Sequence, residues 1–182
     1  MHRCFVFLLL FVVVSTFGAD ATISFPIAPT PLAISTPTTW TAERNQVGTT
    51  IIVRSPVPSD RSGDLAERER GVVSVAVQSV KNEGPLAFSV RCRRDLERTV
   101  MGLVLDKSED LVLGGRSWTK QAYVMKVGQF SFRQELFTTV IDGHGVCLTC
   151  SSEASSFLRW QNEFSIIINS LGRSRLQLEP RP

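Results

Sequence analysis

The chain has 182 residues, 43% of them hydrophobic and 20% charged, with a formal net charge of +3. That length suits a single domain that can bury a sizeable core without metal or disulfide staples. Its 20 basic and 17 acidic residues are interspersed, which excludes the concentrated basic footprint of a nucleic-acid binder.

Residues 1–21 read as a cleavable secretory signal. His2 and Arg3 supply a basic start, Cys4 to Val14 an apolar run, and Ala19-Asp20-Ala21 a small-residue site with cleavage expected after Ala21. The apolar run, about 11 residues, is short of the roughly 18 that span a bilayer, and no later run is longer. The expectation is a secreted or periplasmic protein with no transmembrane anchor after cleavage. Cys4 stands at the start of the apolar run rather than after it, so it is not a lipid-accepting cysteine and leaves with the signal.

Residues 22–34 open a Pro- and Thr-rich stretch, with Pro26, Pro29, Pro31 and, further on, Pro37, and read as an extended lead-in. The folded domain is expected over 35–172. TTIIV, residues 49–53, is β-branched and bounded by Gly48 and Pro56, which predicts a strand. Residues 56–70 are polar with Pro and Gly and predict an exposed loop. VVSVAVQSV, from Val72 to Val80, predicts a strand that is apolar on both faces and therefore covered on both.

Gly84-Pro85 opens a predicted helix over 86–103, with apolar residues at Phe88, Cys92, Leu96, Val100 and Leu103 and with Arg91, Arg94, Glu97 and Arg98 on the other side. A polar break from Asp106 to Asp110 leads to a strand DLVLGG. Two strands follow, around AYVMKV and FSFRQELFTTVI, joined at Val127-Gly128-Gln129. Asp142-Gly143 is the strongest hairpin signal, because both centres of a type I′ turn need positive φ. Its second strand is VCLTC, Val146 to Cys150. A last helix starts near Ser155 and buries Phe157, Trp160, Phe164, Ile167, Ile168 and Leu171 before Gly172 stops it, and 173–182 form a polar tail. The order of elements predicts an α+β domain with helices packed on an antiparallel sheet.

Pro37 followed by Trp40, a long helix after the second strand, a Gly-Gly strand, a meander ending in Asp-Gly and the closing segment Phe164-Ser165-Ile166-Ile167-Ile168-Asn169-Ser170-Leu171 resemble the PsbP-like superfamily, which includes DcrB-like envelope proteins. That closing segment has one residue more than the family's usual spacing. The resemblance covers about residues 32–172 and implies an antiparallel sheet sandwiched by helices, in proteins that act mostly as binding or assembly partners. The presequence lacks the length and the Ser- and Arg-rich character of a chloroplast transit peptide, so a secreted or periplasmic relative fits better than a photosystem subunit.

Little in the chain carries chemistry. His144 is the one histidine beyond the signal, it follows the Asp142-Gly143 turn, and no G-x-S-x-G elbow is present to expose a nucleophile. Cys147-Leu148-Thr149-Cys150 is a CxxC borne on a strand. Its thiols would point to opposite faces about 10 Å apart, which disfavours both a redox dithiol and a zinc site with Cys92 and His144. The three cysteines are expected either as buried thiols or with one disulfide from Cys92 to the strand cysteine facing its helix, for which Cys150, on the face of Val146 and Leu148, is the candidate. Gly114-Gly115-Arg116 lacks the spacing of a phosphate loop, and Asp106, Glu109 and Asp110 lack the calcium-loop pattern.

No catalytic residue, metal ligand or cofactor site is assigned. Arg91, Arg94 and Arg98, with Trp118 after the Gly-Gly turn, form the candidate partner surface, suited to an acidic protein or to weak contact with an anionic membrane. The expected function is a secreted or periplasmic, non-enzymatic binding or accessory domain that engages a protein or envelope component. The alternative is a small-ligand or lipid carrier with a pocket between sheet and helices, marked by a cavity beside Trp118 or Trp160. A secreted hydrolase comes third.

Overall fold

The computed structural model describes residues 22–44 and 51–173. The signal expected over 1–21, the first two residues of the TTIIV strand and all of the tail beyond Arg173 lie outside the described residues.

The body of the molecule is a meander of long strands. β6 (Val104–Leu113), β7 (Arg116–Val127), β8 (Phe130–Ile141) and β9 (His144–Glu153) follow one another, each antiparallel to the last. They join β3 (Thr41–Arg44), β4 (Ile51–Arg54) and β5 (Val72–Ser79) in one seven-stranded sheet of order β3-β4-β5-β9-β8-β7-β6. The turns obey the chemistry of their residues. Asp142 and Gly143 sit at φ 49° and 74°, the doubly positive pair that a type I′ turn requires.

A second sheet, of order β1-β2-β10, is made by β1 (Thr22–Ile27), β2 (Leu32–Pro37) and the two-residue β10 (Gly172–Arg173). This corrects the reading of 22–34 as a lead-in apart from the packed domain. Ile27, Leu32 and Ile34 are all in the core. Pro26 is tolerated on β1, which is the edge strand of this sheet among the described residues, the position to which strand prolines are confined.

Other boundaries move for physical reasons. The expected loop 56–70 contains a short helix, α1 (Gly63–Arg68), anchored by buried Ala66. Helix α2 spans Pro85–Thr99 and ends four residues before the predicted Leu103, because Val100 turns to extended backbone and Gly102 takes φ 72°. The polar stretch Asp106 to Asp110 is part of β6, not a break. As the sheet's edge strand, β6 exposes its residues to water, where carboxylates and lysine cost nothing and discourage edge pairing. The closing helix begins as a 3₁₀ turn, Phe157–Trp160, continues as α3 (Gln161–Asn169) and stops at Ser170.

Alternate residues of β9 serve different neighbours. Val146, Leu148 and Cys150 are fully buried in the cluster that holds Trp40, Trp118, Phe137, Trp160, Phe164 and Ile167. Gly145 and Cys147, one residue out of phase, lie against Phe88 and Cys92 of α2.

Candidate functional site

Three separated segments meet at two tryptophans. Trp40 follows β2 in a turn closed by the Trp40 amide donating to the Pro37 carbonyl at 3.0 Å. Trp160 ends the 3₁₀ turn, and its Nε1–H donates to the Glu69 carbonyl at 2.7 Å, tying it to the segment that carries α1. The rings meet edge to face, with centroids 5.9 Å apart and planes at 85°, and Phe164 adds a second edge contact to Trp40 at 6.1 Å. Gly71 makes room for the pair, since a Cβ there would lie 2.8 Å from Trp160 Cγ.

Beside this anchor opens a cleft of about 670 Å³, walled by Pro37, Thr38, Thr39 and Pro56 on one side and by Asn162, Glu163 and Ile166 of α3 on the other. Ile166 is half exposed at its rim. Glu163 lines the cleft, and its Oε2 is buried with no hydrogen-bond partner. That oxygen is shielded from solvent and so from the open space of the cleft, and what the cleft presents beside Trp160 is the apolar rim at Ile166. It opens beside Trp160, one of the two places where the sequence looked for a cavity.

A second, smaller pocket of about 210 Å³ lies between α3 and the sheet. Its floor is Lys120, held 3.0 Å from Glu135 and 3.9 Å from Glu109, and Phe137, Phe157 and Phe164 line it. That volume is below the 300–1,000 Å³ typical of ligand sites, and its charged floor is unsuited to an acyl chain.

The candidate partner surface does not assemble. Trp118 is 1% exposed and sits in the core. β7 starts right after the Gly114-Gly115 turn, so Ser117 is exposed and Trp118 falls on the core side of the strand. Arg91 is occupied by the Glu83 carboxylate, with contacts at 2.7, 3.0 and 3.2 Å that hold Glu83 below its usual carboxylate range. Arg93 pairs with Glu97 at 3.6 Å. Arg94 and Arg98 are exposed and without an ion pair among the described residues. Two free guanidinium groups contribute about 1 kcal/mol each near an anionic surface, too little for stable membrane attachment.

The candidate disulfide partner also changes. Cys92 Sγ lies 3.3 Å from Cys147 Sγ, whereas Cys150 is fully buried on the opposite side of β9. Helix α2 covers the face of β9 that bears Gly145 and Cys147, so sharing a face with Val146 and Leu148 turns Cys150 away from it. Among the described residues no group of three or more His, Cys, Asp or Glu is placed to hold a metal ion. His144 Nδ1 lies 3.0 Å from the Asp142 carbonyl, as a turn residue.

The Trp40–Trp160 cleft had a partial signal in the sequence. The Pro37 and Trp40 landmarks and the aromatic face of the last helix were legible, but nothing local announced that residues 22–40 fold back onto that helix.

No family model and no curated protein matches the sequence. Solved structures do match the fold. The solution structure of cyanobacterial PsbP (CyanoP) from Synechocystis sp. PCC 6803 superposes with a TM-score of 0.61 at 12% identity, over 87% of this chain and 96% of that one. LpqN, involved in cell envelope biogenesis of Mycobacterium tuberculosis, gives 0.61 at 10% identity, over 83% and 90%. The Saccharomyces cerevisiae Ran-binding protein Mog1p gives 0.58 at 5% identity, over 89% and 100%. The chain has the PsbP-like fold.

Proposed function

We propose that this PsbP-like domain works outside the cytoplasm as a non-enzymatic accessory domain, its sheet held between helices on its two faces, and that it binds a protein partner in the Trp40–Trp160 cleft. The observation that carries the reading is the cleft itself, about 670 Å³ beside the Trp40–Trp160 pair with a half-exposed apolar rim at Ile166. A peptide segment that lays an aliphatic side chain against Ile166 covers that rim. Fold likeness alone does not carry function. Relatives in fold named for Ran binding and for envelope biogenesis are nonetheless consistent with an accessory role. The location rests on the signal-like start of the sequence and on the envelope relative. No helix among the described residues is long and apolar enough to cross a membrane.

Site-specific photo-crosslinking in the native host tests the cleft. A crosslinker at Ile166 is expected to trap a partner, and one at Val112, on the far edge strand, is not. Trapping at Val112 alone would overturn the assignment of the cleft. Intact mass of the exported protein is expected to begin at Thr22, and a mass that retains Met1 would overturn the location.

A small-ligand carrier is the second reading. It is favoured by the cleft volume of about 670 Å³, which falls within the usual range for ligand pockets. Native mass spectrometry of host-purified protein separates the two, since a carried ligand adds a discrete mass that is lost on denaturation.

A further inference from the structure

Helix α2 touches strand β9 at two points one turn apart. Phe88 lies over Gly145, and Cys92 meets Cys147. Four helical residues rise about 6 Å and two strand residues about 6.6 Å, so the helix runs along the strand in a register that brings the second pair together once the first is seated. The two sulfurs are 3.3 Å apart and partly buried, about 1.3 Å beyond a disulfide bond length. Side-chain rotation and a small shift of α2 close that gap.

The two thiols are not equivalent. The hydrogen bond with Cys147 holds the Cys92 thiol below its usual range, with Arg91 adding to the effect. The Cys147 thiol is pushed up, first by the same bond and then by burial. Cys92 is therefore the more readily ionised thiol of the pair and the one that opens a thiol–disulfide exchange, with Cys147 following. Cys150 takes no part. It is fully buried and burial pushes its thiol well up.

We propose that Cys92 and Cys147 form an intramolecular disulfide that clamps α2 to β9, leaving Cys150 as a free buried thiol. The oxidant is a small or protein disulfide, such as glutathione disulfide. The Cys92 thiolate attacks one glutathione sulfur, breaking the S–S bond and releasing one glutathione thiolate. Cys147 then gives up its proton and attacks Cys92 Sγ, displacing the second. Two protein thiols are oxidised by two electrons, and one glutathione disulfide becomes two molecules of glutathione.

The test is a glutathione redox titration of the purified protein, followed by alkylation and non-reducing peptide mapping. The expected result is a linked peptide joining Cys92 to Cys147, with Cys150 alkylated only after unfolding. The oxidised form should melt on the order of 5–15 °C above the reduced form, since the bond closes a long loop. Cys147→Ala is expected to trap a lasting glutathione adduct on Cys92, and Cys150→Ala to leave the bond unaffected. A link from Cys92 to Cys150, a glutathione adduct that persists in the wild type, or Cys92 and Cys147 both alkylated under oxidising buffer would overturn the proposal. The titration is done in vitro, so it is independent of whether the protein is exported.

Discussion

A Cβ added to Gly145 would lie 2.3 Å from Phe88 Cε2. The largest buried side chain of α2 is thus seated on a strand position that has no side chain, while the helix also packs over β8 and β7. Glycine is not needed there for its backbone, because Gly145 is not among the residues with positive φ. Gly145→Ala is therefore a pure test of packing: the strand backbone accepts alanine, and the ring must move. The expected loss is about 1–3 kcal/mol by urea unfolding. Combined with Phe88→Leu, the same substitution should cost less, a coupling of at least about 0.5 kcal/mol. Additive losses would mean that the helix is not positioned by this contact.

Trp118 separates a surface reading from a core reading. Its place inside the sheet, 1% exposed, predicts that Trp118→Ala costs about 3–5 kcal/mol. Trp118→Phe should cost clearly less, because the buried Nε1–H that it removes has no partner. Arg94→Ala and Arg98→Ala, on the exposed side of α2, should stay within about 0.5 kcal/mol of wild type. Thermal and urea unfolding of the four variants measure the ordering, and a Trp118→Ala variant as stable as the arginine variants would return the residue to the surface.

What the sequence made legible follows from how local each signal is. Asp142-Gly143 needs only its own two residues to declare a turn, and the β-branched run at β5 declares a strand, although only its Val73 and Val75 face is fully buried and Val72, Ser74 and Ala76 are half-buried. The cysteine register was harder. Cys147 and Cys150 were correctly placed on opposite faces, but which face meets α2 depends on a packing choice made by Phe88 and Gly145, far apart in the chain. The fold-back of β1 and β2 onto β10 was hidden by proline content, which reads as disorder unless an edge position is known to receive it. The cleft combines these long-range facts, so its outline could not precede the tertiary structure.

The Trp160 Nε1–H bond to the Glu69 carbonyl, 2.7 Å and buried, fastens one wall of the cleft to the segment after α1. Trp160→Phe keeps most of the ring but leaves that carbonyl unpaired, an expected loss of about 1–3 kcal/mol. Gly71→Ala drives a Cβ to 2.8 Å from Trp160 Cγ and 3.1 Å from Trp40 Cη2, and should destabilise by a similar amount. If the cleft is the binding surface, both variants should also weaken crosslinking at Ile166 at temperatures where they remain folded. Undiminished crosslinking in folded Trp160→Phe would show that the ring does not shape the site.

Tyr123 is the single tyrosine of the chain, which makes its ionisation directly readable. It is fully buried, and its hydroxyl donates to Gln121 Oε1 at 2.7 Å. Burial, with Glu97 nearby adding to it, pushes the phenol up to about 12. In the unfolded chain the value is about 10. The folded state therefore keeps a proton that the unfolded state has released over that interval, and stability falls as pH rises through it. The contribution is fully present below about pH 10 and is lost toward pH 12, a total on the order of 2–3 kcal/mol. The ultraviolet phenolate absorbance of the folded protein should titrate near 12, and that of the urea-unfolded chain near 10. Tyr123→Phe should flatten the alkaline limb of the stability profile, while costing about 1 kcal/mol at neutral pH through the lost bond to Gln121. A folded-state midpoint near 10 would place the hydroxyl in solvent and undo the packing of α2 against this part of the sheet.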